Sequence, residues 1–130
     1  MWGGVFIKLK NVLIVVKEIE KSKQFYKELF GLDVVLEQEG NVILTEGLVL
    51  QDADIWSQAV DGNVQFQNHA MELYFEERNF DEFLEVLKNY HHKISYATPV
   101  TELPGGKRIV RIYDPDGTLN LTITEGKINK

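Results

Sequence analysis

Apolar residues in this chain fall in short blocks whose internal period changes from block to block. Val12-Leu13-Ile14-Val15-Val16 is a β-branched run that suits a strand covered on both faces. Ile19, Ser22, Phe25, Tyr26, Leu29 and Phe30 then recur at helical spacing, with Lys and Glu between them and Gly31 where a helix stops. Three strand candidates follow, Asp33–Leu36, Val42–Thr45 and Leu48–Gln51, separated by Glu39-Gly40-Asn41 and Glu46-Gly47 turn signals. The first half reads βαβββ.

The interval from Gln51 to Asn68 is polar, poorly periodic and carries Trp56, so it reads as a linker folded over something. After it the order begins again. Met71, Leu73 and Phe75 alternate with Glu72 and Tyr74, the period of a strand with one apolar face. Asn79 or Asp81 can cap a helix whose stripe is Phe80, Phe83, Leu84, Leu87 and Tyr90. Ile94–Val100 and Lys107–Tyr113 flank Pro104-Gly105-Gly106, and the Asp114-Pro115-Asp116-Gly117 turn leads into Leu119–Thr124. The second half is again βαβββ. Aligning Asn11 with Ala70 gives an offset of about 59 residues (70 minus 11), the mark of a duplicated unit. The expected fold is α+β: one domain over 1–130, with module one at about 7–52, a crossover at about 53–67 and module two at about 68–126. Each module has a sheet with a helix on one side, and the two curved mixed sheets are expected to form a cup around a ligand.

Composition narrows what such a cup does. The chain has 130 residues, 44% of them hydrophobic, enough for a real core. Its formal charge is −6, with the basic residues scattered, which argues against a nucleic-acid partner. There is no cysteine, so thiolate nucleophiles and Cys-ligated zinc are excluded by inventory. The Met1-Trp2-Gly3-Gly4-Val5-Phe6-Ile7 stretch lacks a basic lead and is too short for a signal sequence. No apolar run approaches a membrane span. The expected setting is the cytosol, without a membrane partner.

Three segments carry a family resemblance: the Val16-to-Tyr26 stretch with its Ser22, Phe25 and Tyr26, the Leu29-Phe30-Gly31-Leu32 that follows, and Tyr113-Asp114-Pro115-Asp116-Gly117. Together they resemble the vicinal-oxygen-chelate superfamily, which includes glyoxalase I, extradiol dioxygenases, fosfomycin-modifying enzymes and bleomycin-binding proteins. In its metal-using members, a His or Gln near the start of each module's first strand and a Glu on its last strand hold a divalent ion that polarises substrate oxygens. The resemblance places Asn11, Gln51, Ala70 and Leu121 at those positions. None is charged and two have no donor atom, so no metal cofactor is expected. A one-residue slip would offer His69 and Asn120 instead, yet each slip turns a side chain to the other face. The resemblance also implies a homodimer and favours an Arg at Arg108.

Glu72 and Tyr74 are the candidate catalytic residues, since their alternation turns them toward the cup; a merely solvated strand face is the competing reading. A closed cup would desolvate Glu72 and make it a candidate general base. Arg108 and Arg111 have opposite parity, so one of them can enter the cup and clamp an anion. Trp56 is either a lid or a plug between modules. Asn11, Gln51, Trp56, Arg108 and Leu121 form the expected ligand-binding set. The expected function is sequestration of an apolar or aromatic small molecule in a metal-free cup. The alternatives are a lyase or dioxygenase with an altered or absent metal site using Glu72 as base, and a vestigial interaction module.

Overall fold

A computed structural model describes residues 7–126, so the stretch read against a signal sequence falls, except for Ile7, outside the described residues. The chain divides into two compact units, one ending at Val64 and the other starting at Gln65. In the first unit, β1 (Val12–Val16) leads into α1 (Ile19–Phe30), then β2 (Val34–Gln38), β3 (Asn41–Leu44), β4 (Leu48–Asp52) and α2 (Ala53–Val60). In the second, β5 (Glu72–Glu77) leads into α3 (Phe80–Lys88), then β6 (Tyr96–Glu102), β7 (Arg108–Tyr113) and β8 (Asn120–Glu125). The two sheets have the same strand order, β1-β4-β3-β2 and β5-β8-β7-β6. In both, the first and last strands pair in parallel and the rest are antiparallel. The doubled βαβββ read from the hydrophobic pattern is therefore the fold.

Directly paired residues point to the same side of a sheet, so register assigns each side chain to a face. In the first unit Ile14, Leu50 and Val42 share a row and are almost fully buried, as are Leu44 and Leu48 on the same face. α1 packs against β4 and contributes Phe25, Tyr26 and Leu29 to that core. Gly31 ends α1 at φ +66°, a left-handed conformation that lets its N–H reach the Lys27 carbonyl at 3.0 Å. In the second unit the matching core is Leu121, Ile123, Val110 and Ile112, all buried, beneath Phe80, Phe83 and Leu87 of α3. That helix ends at Lys88, two residues short of Tyr90, the last position of its apolar stripe.

The interval read as a linker contains α2, which corrects that expectation. Asp52 caps it, its side chain accepting from the N–H groups of Asp54 (2.9 Å) and Ile55 (3.3 Å). No residue of α2 is fully buried, although Ile55, Trp56, Ala59 and Val60 recur at helical spacing. The two glycine-bearing turns are as expected. Gly117 N–H donates to the Asp114 carbonyl at 2.9 Å, and Gly106 N–H to the Leu103 carbonyl at 3.0 Å.

Candidate functional site

The internal repeat can now be aligned by structure. Ile19 and Phe80 open α1 and α3, an offset of 61 (80 minus 19), so Asn11 corresponds to Glu72 rather than to Ala70. The last strands share a burial pattern, Leu48-Val49-Leu50-Gln51-Asp52 matching Leu121-Thr122-Ile123-Thr124-Glu125. Their offset is 73 (121 minus 48), because the second unit has longer connections. Gln51 thus corresponds to Thr124, and Leu121 to the core residue Leu48.

On the face opposite α3, one row crosses three strands, Tyr74, Thr122 and Arg111, and Thr98 pairs with Arg111 where the β6 register shifts on both sides of it. The row beside it holds Glu72, Asn120 and Tyr113. Arg111 donates through Nε to Glu72 Oε1 at 3.1 Å, and the Thr122 hydroxyl donates to the same oxygen. The side chains of Arg111 and Glu72 are 31% and 28% exposed, so the pair can be reached from solvent. Glu72 hydrogen-bonding holds the Arg111 guanidinium above its usual range, more than offsetting desolvation, and the Tyr74 hydroxyl adds to that. Tyr74 itself is 65% exposed. Asn120 Oδ1 and Thr98 Oγ1 are buried and make no hydrogen bond among the described residues.

The equivalent row of the first unit, opposite α1, is Leu13, Val49, Ile43 and Leu36, wholly apolar. Gln51 lies on this face, in the next row with Val15 and Asn41. Asn11 spends its amide on the Gly47 carbonyl at 3.1 Å, holding the turn that enters β4. Trp56 sits half-buried on α2.

Two expected ligand contacts lie elsewhere. Leu121 is fully buried on the α3 side, paired with Leu73 and Ile112, because the strand's parity turns it into the core. Arg108 also lies on the α3 side, its guanidinium 5.0 Å from the centre of the Phe80 ring. It bonds Glu125 at 2.7 Å and Asp81 at 2.8 Å. Arg111 is the arginine that shares a face with Glu72 and Tyr74. Sequence reasoning recognised the opposite parity of the two arginines and chose by resemblance. What decides between them is cross-strand register, which one strand's pattern does not carry. Thr98 and Thr122 gave no signal, and Asn120 arose only as a slipped metal position, since each is an ordinary strand residue until its row neighbours are known.

The Arg108 cluster has a measurable signature. Arg108 holds both the Asp81 and Glu125 carboxyls below the usual carboxylate range, chiefly by hydrogen bonding. The folded chain therefore keeps these groups ionised to lower pH than the unfolded chain does. Their contribution is fully present above about pH 4.5 and is lost as pH falls through the lowered values. Arg108→Gln is expected to lower Tm at pH 7 and to change it little in strong acid, so that the acid limb of a plot of Tm against pH flattens. An unchanged acid limb in the variant would show that the cluster contributes nothing to the pH dependence.

His69 stacks on Tyr113, ring centres 5.0 Å apart, and its Nε2 lies 3.0 Å from the Gly117 carbonyl, so it serves packing. Among the described residues, no three His, Asp or Glu side chains gather to hold a metal ion. Glu72 is the one carboxylate among the four structurally matched positions, and its immediate neighbour is a guanidinium.

A duplicated βαβββ chain whose two sheets repeat one strand order defines a fold class. The sequence profile of the glyoxalase-like domain matches residues 9–125, and the chain belongs to that family. A search of curated proteins finds no match. Among solved structures, a protein of unknown function from Agrobacterium tumefaciens superposes with a TM-score of 0.77 at 22% identity, covering 96% of this chain and 98% of that one. Lactoylglutathione lyase from the same organism gives 0.69 at 23%, covering 92% and 93%. A fosfomycin resistance protein from Listeria monocytogenes gives 0.68 at 15%, covering 95% and 97%. These likenesses establish the shared fold.

Proposed function

We propose that the protein binds a small apolar or aromatic molecule on its open sheet faces without a family-type metal ion. The observation that carries this reading is the Glu72–Arg111 pair set beside the largely exposed Tyr74 ring on the face opposite α3. Taken by itself, the first unit's row Leu13, Val49, Ile43 and Leu36 is wholly apolar and offers a face of its own to an apolar ligand. The structural register alters a premise of the metal-free reading, since Glu72 replaces Ala70 and Thr124 replaces Leu121 among the matched positions. The donor set still does not fit a family-type ion: one carboxylate, no imidazole, two neutral amides and a threonine hydroxyl. Arg111 at hydrogen-bond distance from Glu72 would further repel a divalent cation.

Two measurements test this. Elemental analysis of the purified protein is expected to find no stoichiometric metal, and nickel, zinc, manganese and iron to leave Tm unmoved. A screen of aromatic and apolar compounds by calorimetry is expected to yield a binder that Tyr74→Ala weakens about tenfold, the loss of roughly 1.4 kcal/mol of aromatic contact. Stoichiometric metal, or a binder indifferent to Tyr74→Ala, would overturn the reading. A second reading, a metal-free lyase or dioxygenase relative with Glu72 as base, is favoured by Glu72 Oε2, which has no hydrogen bond among the described residues. It requires turnover of the bound compound that Glu72→Gln abolishes without loss of binding. No helix among the described residues is long and apolar enough to cross a membrane. A cytosolic homodimer completes the proposal; it would bury Val34, Val35 and Leu36, all exposed on β2, and sedimentation would give its mass.

A further inference from the structure

We infer that the second unit's open face selects a zwitterionic head group, an ammonium and a carboxylate carried on one carbon, as in a free amino acid. The inference deepens the small-molecule reading above and depends on its placing the ligand on this face. Its basis is the way the polar groups sort by sign and by hydrogen-bonding role.

One pole accepts. Glu72 Oε2 is without a hydrogen bond among the described residues, and Asn120, opposite Glu72 in the register, has a buried Oδ1 with no donor. A ligand group serving both must carry several N–H bonds, and an ammonium does. The other pole donates. Arg111 gives its Nε to Glu72, and its guanidinium fork can serve an oxyanion. Thr98, opposite Arg111 in the register, has a buried hydroxyl with no partner among the described residues. A carboxylate takes hydrogen bonds from both. Asn120 Oδ1 and Thr98 Oγ1 are buried and without a partner among the described residues, so a ligand group that reaches them satisfies two otherwise unpaired polar atoms.

Simpler ligands fit worse. A lone anion meets the Glu72 carboxylate beside Arg111, and a lone cation meets the guanidinium beside Glu72. An uncharged aromatic leaves both poles unserved. Glu72 and Arg111 now neutralise one another, and a zwitterion keeps that balance while supplying each with a partner of opposite sign.

The test is isothermal calorimetry on the full chain with the twenty standard amino acids, followed by charge-deleted derivatives of the best binder. The amide lacks the carboxylate and the N-acetyl compound lacks the ammonium. The expected result is at least tenfold tighter binding of the zwitterion than of either derivative. Glu72→Gln should weaken the zwitterion and the amide while sparing the N-acetyl compound. Thr98→Val should weaken the zwitterion and the N-acetyl compound while sparing the amide. Because Thr98→Val removes a buried unpaired hydroxyl, its Tm should hold or rise, separating lost contact from lost folding. Absence of binding by any amino acid, equal binding of all three forms, or affinities indifferent to both substitutions overturns the inference. Uncharged aromatic compounds that bind in a Tyr74-dependent way would leave the broader reading standing in each case.

Discussion

Leu121→Glu is expected to leave the chain unfolded at room temperature, although it places a carboxylate where the family resemblance would have one. Leu121 is fully buried between Leu73 and Ile112 on the α3 side of β8. Removing its side chain alone, as in Leu121→Ala, should cost about 2–5 kcal/mol through lost burial and the cavity left behind. A glutamate there adds an unpaired buried charge, raising the loss above about 5 kcal/mol, comparable with the whole stability of many domains. Thr124→Glu, on the opposite face of the same strand, should cost about 1 kcal/mol. Urea denaturation of the three variants reads the parity of β8 directly. A folded Leu121→Glu protein would mean that this residue faces the open side.

Asp114→Ala is the second large effect, expected to cost about 2–4 kcal/mol in urea denaturation, because two buried N–H groups lose a charge-assisted acceptor. Asp114 is buried, and its Oδ1 accepts from Thr118 N–H at 2.8 Å and Leu119 N–H at 3.0 Å. Those bonds fix the turn that feeds β8, and hence the register that sets Thr122 beside Glu72. Burial pushes the Asp114 carboxyl up, outweighing the two N–H bonds that pull it down. The folded chain therefore binds this proton more tightly than the unfolded chain does. Its contribution is greatest in acid and declines as pH rises through the raised value, opposite in sign to the Arg108 cluster. Asp114→Asn is expected to remove that decline while retaining part of the turn. A loss below 1 kcal/mol for Asp114→Ala would show that the turn forms without the carboxylate.

Which parts of this were legible in the sequence follows from how local each signal is. β1, α1 and the Gly31 stop are written within their own residues, as a β-branched run, a helical period and a residue free to take positive φ. α2 is only eight residues long, and its cues were the Asp52 cap and the helical spacing of Ile55, Trp56, Ala59 and Val60. β2 shows the converse, since Val34, Val35 and Leu36 look like core and lie exposed on an edge strand. The site was half legible. The alternation around Glu72 and Tyr74 is a property of one strand, whereas the choice of Arg111 over Arg108 and the placing of Leu121 depend on how β5, β7 and β8 are matched. A matching made by eye from Asn11 and Ala70 misses by two residues at the first strands and reverses the parity at the last.

The contrast between the equivalent rows Leu13–Val49–Ile43–Leu36 and Tyr74–Thr122–Arg111–Thr98 reaches beyond any one ligand. After a duplication, two copies of a scaffold hold the same positions, and here one copy's row became greasy while the other's became wet. Both changes fall on the side of the sheet that the main core does not use. Rewriting a single stripe of side chains in this way changes the chemistry of that face, while the residues beneath the helices keep the molecule folded.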